Sequence, residues 1–366
     1  MKLLDTGIKK ARNVTHYTIG DGSLLDLPII LSSVRKSVGS IVYFVDNIFE
    51  FQEPLISKLG IKSADKVVFI PTENEPTTNQ VDSILDQLRN EGFRNPSGIV
   101  GMGGGTTMDI AKAISNLYNN HGKAEDYQGW DLVKNPGVYK IAVPTISGTG
   151  AEATRTCVMT NKKSGLKLGM NSDFTVYDQI IMDPTLTATV PRNQYFYTGM
   201  DAYLHCIESI AGRYRNAIGD AFSRETVNLC RKVFLDEDMM SKKGREQLMV
   251  ASYLGGCAIS TSYVGLVHPF SAGLSVVLGL HHCVANCIVM SAMECFYQKE
   301  FAEFVKMIEF QQVSLPKGVC KNLTDNQCDQ LYQSTIIHEK PLTNALGENY
   351  RDILTKDRVI EIFRSM

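Results

Sequence analysis

SGIVGMGGGTTMDIAKAI, residues 97–114, decides the fold. Its first half is a short apolar run of the kind that forms a buried strand, and its second half has the apolar spacing of a helix. Between them Gly103, Gly104 and Gly105 form a turn without side chains, so backbone N–H groups can approach a pyrophosphate. The helix that starts near Thr106 and runs through Asp109 points the positive end of its dipole at the same place. Thr106 and Thr107 add hydroxyl donors. A glycine turn between a strand and a helix is the context in which such a motif signals dinucleotide binding.

Three more strands surround it: SIVYFVD (40–46), KVVFIP (66–71) and YKIAVPT (139–145). VDSILDQLRNEGF (81–93) separates two of them and places Val81, Ile84, Leu85 and Leu88 on one helical face. Strands alternating with helices predict a parallel, Rossmann-like sheet. After DPTLTATVP (183–191) the character changes to long helical patterns such as AFSRETVNLCRKVF and KDRVIEIFRSM. The expected organisation is an α/β nucleotide-binding domain over residues 1–183 and an all-α metal and substrate domain over 184–366, in keeping with a chain of 366 residues.

Composition excludes several classes of function. With 44% hydrophobic and 21% charged residues and a net charge of −2, the chain has no general attraction for nucleic acid or anionic membrane. The nine cysteines form no CxxC pair and no disulfide framework, which predicts reduced thiols. The N-terminal segment MKLLDTGIKKARNVTHYTIG lacks a secretory apolar core, and no run is long enough to span a bilayer, so a cytoplasmic protein with a small-molecule partner is expected.

Asp46 closes an early strand, where a carboxylate accepts hydrogen bonds from an adenosine ribose and repels a 2′-phosphate; this favours NAD over NADP. PTISGTGAEAT (144–154) is a second small, hydroxyl-rich loop suited to lie against a cofactor. Farther on, MDAYLHCIES puts Asp201 and His205 one helical turn apart, on one face. His268 and His282 bracket HPFSAGLSVVLGLHH. Should these halves converge, one carboxylate and three imidazoles would hold a divalent cation, Fe²⁺ or Zn²⁺, with a position left for a substrate oxygen.

GMGGGTTMDIAKA, PTISGTGAEAT, IIMDPTLTATVP, MDAYLHCIES and GLVHPFSAGLSVVLGLHHCVAN, in this order, resemble the iron-containing (group III) alcohol dehydrogenase family within the dehydroquinate synthase-like superfamily. The resemblance implies Asp201, His205, His268 and His282 as metal ligands. It implies the glycine turn and the start of its helix, Asp109 included, as the pyrophosphate site, Asp46 at the ribose, and Thr145, Thr149 and Lys167 in segments lining the cofactor cleft. It also implies a homodimer and hydride transfer between an alcohol and NAD.

The chain departs from the family beside the metal. Ala272 stands where a further histidine is usual, His281 where proline precedes the last ligand, Cys283 where glycine follows it, and Thr261, Ser262 and Tyr263 where AsnAlaGly is usual. This altered pattern looks most like a branch that includes 3-deoxy-D-manno-octulosonate 8-oxidase, of lipopolysaccharide sugar biosynthesis. The expected substrate is the primary alcohol of a sugar or sugar acid, with room at Ala272 and a carboxylate partner in Arg155. Without the usual histidine, the proton leaves through water, a substrate hydroxyl or His281. Two other outcomes stay open: an oxidase passing electrons to oxygen, and a dehydroquinate synthase-like lyase that uses NAD transiently.

Overall fold

The computed structural model describes residues 10–36 and 39–366. Residues 1–9 of the N-terminal segment therefore lie outside the described residues. The described residues fall into two compact units, one of residues 11–146 and 151–189, the other of residues 147–150 and 190–366.

The first unit is built on a sheet of six parallel strands. In chain order its strands are β1 (His16–Ile19), β2 (Ile41–Asp46), β3 (Lys66–Ile70), β4 (Gly98–Gly103), β6 (Lys140–Pro144) and β9 (Gln179–Met182); β5 (Gly129–Trp130), β7 (Thr156–Asn161) and β8 (Leu166–Asn171) form a separate small sheet. The spatial orders are β1-β9-β6-β4-β2-β3 and β5-β8-β7, with β7 antiparallel to β8. The helices are α1 (Leu27–Val34), α2 (Glu53–Ile56), α3 (Thr78–Asn90) and α4 (Gly105–Asn119).

Alternation along β2 shows why its apolar run is continuous. Val42 and Phe44 face a core with Val81, Leu85 and Leu88 of α3 and Ile110 and Ile114 of α4. Ile41, Tyr43 and Val45 face the opposite core with Leu27 and Leu31 of α1. A parallel sheet covered on both faces has no polar side, so its strands carry none of the polar alternation of a half-exposed sheet. The small sheet was not expected from sequence.

The second unit is helical: α5 (Arg192–Ala211), α6 (Ala217–Arg231), α7 (Lys242–Thr261), α8 (Val267–Leu278), α9 (His282–Met290), and α10 to α14 (Gln298–Gln311, Asp325–Ile336, Glu339–Leu346, Tyr350–Ile353, Lys356–Arg364). Every residue of α5 from Tyr195 to Ser209 is buried. A helix buried all round places polar side chains where no water can pair them, so each needs a partner of its own.

Residues 147–150, the middle of the hydroxyl-rich loop, belong to this helical unit. Gly148 has φ +144°, and a Cβ there would lie 1.6 Å from the Thr198 carbonyl oxygen of α5. Gly150 donates its N–H to Ser252 Oγ at 3.2 Å, and a Cβ on it would meet Gly256 Cα at 2.7 Å. These glycines let the backbone touch α5 and α7, a packing requirement that the sequence pattern of a cofactor loop does not reveal. No helix among the described residues is long and apolar enough to cross a membrane.

Candidate active site

The two halves of the metal motif converge inside the helical unit. Asp201 lies at the centre of α5, one percent exposed. His205 Nε2 is 3.5 Å and His268 Nε2 3.2 Å from Asp201 Oδ1, and His282 Nε2 is 3.7 Å from Oδ2. One ligand atom each from Asp201, His205 and His268 fall within 4.8 Å of one another. His268 comes from the first turn of α8, and His282 is the first residue of α9. Three helices thus bring their side chains to one carboxylate.

Burial favours neutral forms, and the neighbours decide which group escapes it. Burial pushes His205 down to about 4, against the pull of Asp201. On His268 burial also acts downward, but Glu208 and Asp201 outweigh it and push the imidazole up to about 9. Burial alone would raise the Asp201 carboxyl, yet His205, His282 and His268 hold it well below the usual carboxylate range. The protonated His268 supplies the positive charge that Asp201 faces here, in the place a divalent cation would take. A divalent cation fits that donor set, and its mixed carboxylate and imidazole character suits Fe²⁺ or Zn²⁺.

Sequence reasoning missed Asn286 and Glu208 here, and left Cys283 out of the ligand set as a buried structural thiol. Asn286 donates Nδ2 to Asp201 Oδ1 at 2.6 Å. Glu208 accepts from His268 Nδ1 and from the Val267 N–H. Cys283 Sγ lies 3.9 Å from Asp201 Oδ2, closer to the centre than its omission from the ligand set implied. The signal was present: Glu208 is three residues after His205, and Asn286 four after His282, so each shares a helical face with a ligand.

His281, expected to accept a proton, is the exposed N-cap of α9; the structure does not bring it into the cluster. Ala272 is buried on α8, one turn beyond His268. Arg155 requires a correction. Its guanidinium bonds Asp131 at 2.5 Å and Asp173 at 3.1 Å within the α/β unit, so two carboxylates of the chain already take the charge that was expected to meet a substrate carboxylate.

The glycine turn forms in the α/β unit as expected. Helix α4 starts at Gly105, and its N-cap Gly104 offers no side-chain oxygen, which leaves first-turn N–H groups available. A Cβ at Gly103 would lie 2.7 Å from Thr107 Cβ, and one at Gly104 would lie 3.1 Å from Ile146 Cγ2. Thr106 sits in that first turn, and the Thr107 hydroxyl is buried with no hydrogen-bond partner among the described residues. An uncapped helix, a bare turn and an orphaned hydroxyl fit a pyrophosphate.

The other cofactor residues are placed unevenly. Thr145 follows β6 and donates its N–H to Gly103 at 3.1 Å, next to the turn. Asp46 ends β2, and its Oδ1 accepts from the Ile48 N–H at 3.1 Å and the Thr72 hydroxyl at 3.3 Å, so it also serves as a cap. Asp109 accepts from the Val158 N–H at 2.8 Å, and burial pushes its carboxyl up to about 6. Lys167, on β8, pairs with Glu75 at 3.0 Å, and both act on the Asp109 carboxyl. Thr149 lies in the segment that joins the helical unit.

One unit thus carries a parallel sheet with a bare glycine turn, and the other an Asp–His₃ cluster. Residues 14–184 match the model of iron-containing alcohol dehydrogenases, and residues 195–340 match the C-terminal model of the Fe-containing alcohol dehydrogenase family. The chain belongs to the iron-containing alcohol dehydrogenase family. It is 30% identical over 236 residues to a sulfoacetaldehyde reductase of Bilophila wadsworthia, covering 64% of this chain and 60% of that protein. It is 31% identical over 231 residues to an NAD-dependent methanol dehydrogenase of Bacillus methanolicus, covering 62% of this chain and 59% of the other. The matched region thus spans about three fifths of these relatives. The crystal structure of a sulfoacetaldehyde reductase from Bifidobacterium kashiwanohense in complex with NAD⁺ shares the fold, with a TM-score of 0.80, 21% identity and 97% of each chain covered.

Proposed function

We propose that this chain is a metal-dependent oxidoreductase that interconverts a primary alcohol and its aldehyde with NAD(H). The convergence of Asp201, His205, His268 and His282 carries the proposal. These four side chains hold the cation, Fe²⁺ by family or Zn²⁺ by the same donor chemistry. When bound, the cation supplies Lewis-acid polarisation of the substrate oxygen and so lowers the pKa of the alcohol.

The chain's own residues do the rest. The turn at Gly103, Gly104 and Gly105, with Thr106 and Thr107, holds the pyrophosphate; Asp109 and Lys167 brace that end of α4, and Thr145 and Thr149 complete the cofactor's surroundings. Asp46 takes the ribose hydroxyls and disfavours a 2′-phosphate. In the forward direction the alcohol loses a hydride to NAD⁺ and a proton to solvent, giving aldehyde and NADH. His281, exposed beside His282 at the start of α9, is the residue of the chain proposed to receive that proton.

The names of the relatives support a small alcohol or aldehyde as substrate. Ala272 supports a bulkier polyhydroxylated one, a sugar or sugar acid such as 3-deoxy-D-manno-octulosonate in lipopolysaccharide synthesis, because its methyl leaves space one turn from His268. Arg155 lends that choice no support. The edge strand β1, with Tyr17 and Ile19 exposed, supports a homodimer. Described cysteines without a disulfide between them support a reducing, cytoplasmic setting.

The test is a substrate panel with metal supplied: methanol, 1,3-propanediol, sulfoacetaldehyde and 3-deoxy-D-manno-octulosonate, each with NAD(H) or NADP(H). NADH and peroxide are scored in parallel. Net change of nicotinamide supports a dehydrogenase, peroxide without NADH an oxidase, and product without either a lyase. Full activity of His268→Ala in metal-free buffer would sink the proposal.

A further inference from the structure

We infer that Glu208 is a positioning residue that fixes the histidine tautomer required for metal binding: it keeps a proton on His268 Nδ1, so that only Nε2 is available to the cation. The inference rests on the metal-site reading above and goes beyond it, because Glu208 is not among the four proposed ligands.

Glu208 is one percent exposed on α5, seven residues after Asp201 and three after His205, on the face that carries both. Each of its oxygens has a separate task. Oε2 accepts from His268 Nδ1, and Oε1 accepts from the Val267 N–H. Val267 is the first residue of α8, whose N–H has no partner within the helix, and its cap Leu266 provides none. The neighbouring Leu266 N–H goes to the Tyr297 hydroxyl at 3.2 Å.

The backbone makes room for this arrangement. A Cβ on Gly265 would lie 2.5 Å from the Tyr297 hydroxyl and 3.2 Å from Glu208 Oε1. A larger residue at 265 would press on the Tyr297 hydroxyl and crowd the carboxylate that holds His268.

Both tasks require an acceptor, and a carboxylate is the side chain that only accepts. With Nδ1–H committed to Glu208, His268 presents Nε2 to Asp201 whether a proton or a cation lies between them. His205 provides the contrast. Its Nδ1 is buried with no hydrogen-bond partner among the described residues, and its ring rests on His268 by stacking alone. Of these two imidazoles, His268 is the one whose lone pair is arranged in advance. Carboxylates that brace a ligating histidine in this way commonly change metal affinity when removed.

Glu208→Gln is the decisive variant because it keeps shape and removes one acceptor. If the amide oxygen stays on Val267, the amide nitrogen faces His268 Nδ1 and drives the ring proton to Nε2, where it blocks the cation. If the amide turns over, its nitrogen faces the Val267 N–H and the start of α8 loses its partner.

The experiment strips full-length wild type, Glu208→Gln and Glu208→Ala with chelator and titrates each with Zn²⁺ alone against a chromophoric competitor. Thermal unfolding of the stripped proteins is measured alongside. The expected result is a Zn²⁺ affinity reduced roughly 10- to 100-fold in Glu208→Gln, with the melting temperature of the stripped protein close to wild type. Nitrogen NMR of histidine-labelled, zinc-loaded wild type should show His268 bound through Nε2 with a proton on Nδ1. Equal Zn²⁺ affinity in wild type and Glu208→Gln, or coordination of His268 through Nδ1, overturns the inference while leaving the metal site standing. A wild type without Zn²⁺ affinity overturns both. Should the variant not fold, the wild-type spectrum decides.

Discussion

Asn286 donates its amide to Asp201 Oδ1 at 2.6 Å, the same oxygen that His205 and His268 face. Its Nδ2 also lies 3.3 Å from His282 Nε2. The amide therefore sits against Asp201, His268 and His282, fully buried, and fixes how the carboxylate is turned. Asn286→Ala should leave Asp201 free to rotate and weaken Zn²⁺ or Fe²⁺ binding roughly 10- to 100-fold. Asn286→Asp, which sets a second carboxylate against the first, should disturb the site further. Metal titration of the stripped proteins checks both; unchanged affinity in Asn286→Ala would mean that the amide only fills space.

The proposed preference for NAD rests on one carboxylate. Asp46 caps the Ile48 N–H, so Asp46→Ala would confound a lost charge with a lost cap. Serine is also a good cap, which makes Asp46→Ser the cleaner test. Removing the charge next to the 2′ position should raise the NADP⁺ to NAD⁺ ratio of kcat/KM at least about tenfold, given what a like-charge contact costs near a protein surface. A ratio that does not move places the ribose elsewhere.

The strands and the convergence of the proposed ligands were legible in the sequence for different reasons. IVYFVD and GIVGMG carry no polar alternation because both faces of that sheet are covered, and DAYLH shows its pairing because a helix repeats its face every turn. The small sheet was not legible: TCVMTN and LKLGMN mix polar and apolar residues, and the far edge of LKLGMN pairs with Gly129 and Trp130, distant along the chain. Glu208 and Asn286 were overlooked because an isolated Glu or Asn on a helix is ordinarily solvated. Only the burial of α5 and α9 on all sides turns them into partners. The expectation for Arg155 failed for a related reason, since a sequence does not show that Asp131 and Asp173 stand beside it.

Gly148 carries a constraint on stability. A Cβ there meets the Thr198 carbonyl oxygen at 1.6 Å, and φ is +144°. Gly148→Ala should destabilise the helical unit by about 3 kcal/mol or more, because backbone must move against backbone three residues from Asp201. Gly165→Ala is the control: φ is +67° and nothing lies within 4 Å, so only the left-handed strain of about 1–2 kcal/mol should appear. Urea unfolding of the two variants measures the difference. Similar losses at both sites would contradict the close approach to α5.

Lys140 sets a pH dependence of stability in the α/β unit. It is buried in the central sheet, its ammonium 4.0 Å from Asp178, and burial pushes it down to about 8 despite that carboxylate. The unfolded chain, with an ordinary lysine near 10.5, therefore holds the proton more tightly between pH 8 and 10.5. Stability from this group then rises with pH across that window, and its penalty is fully present below pH 8. Asp178 keeps Arg12 and the Lys140 N–H as partners when the ammonium is removed. Lys140→Met should accordingly raise the melting temperature at pH 7 by about 3 °C and flatten the rise across the alkaline window. Thermal unfolding from pH 7 to 10.5 provides the check. A variant that melts lower at pH 7, or keeps the wild-type slope, would show that the buried ammonium is stabilised by its surroundings instead of opposed by them.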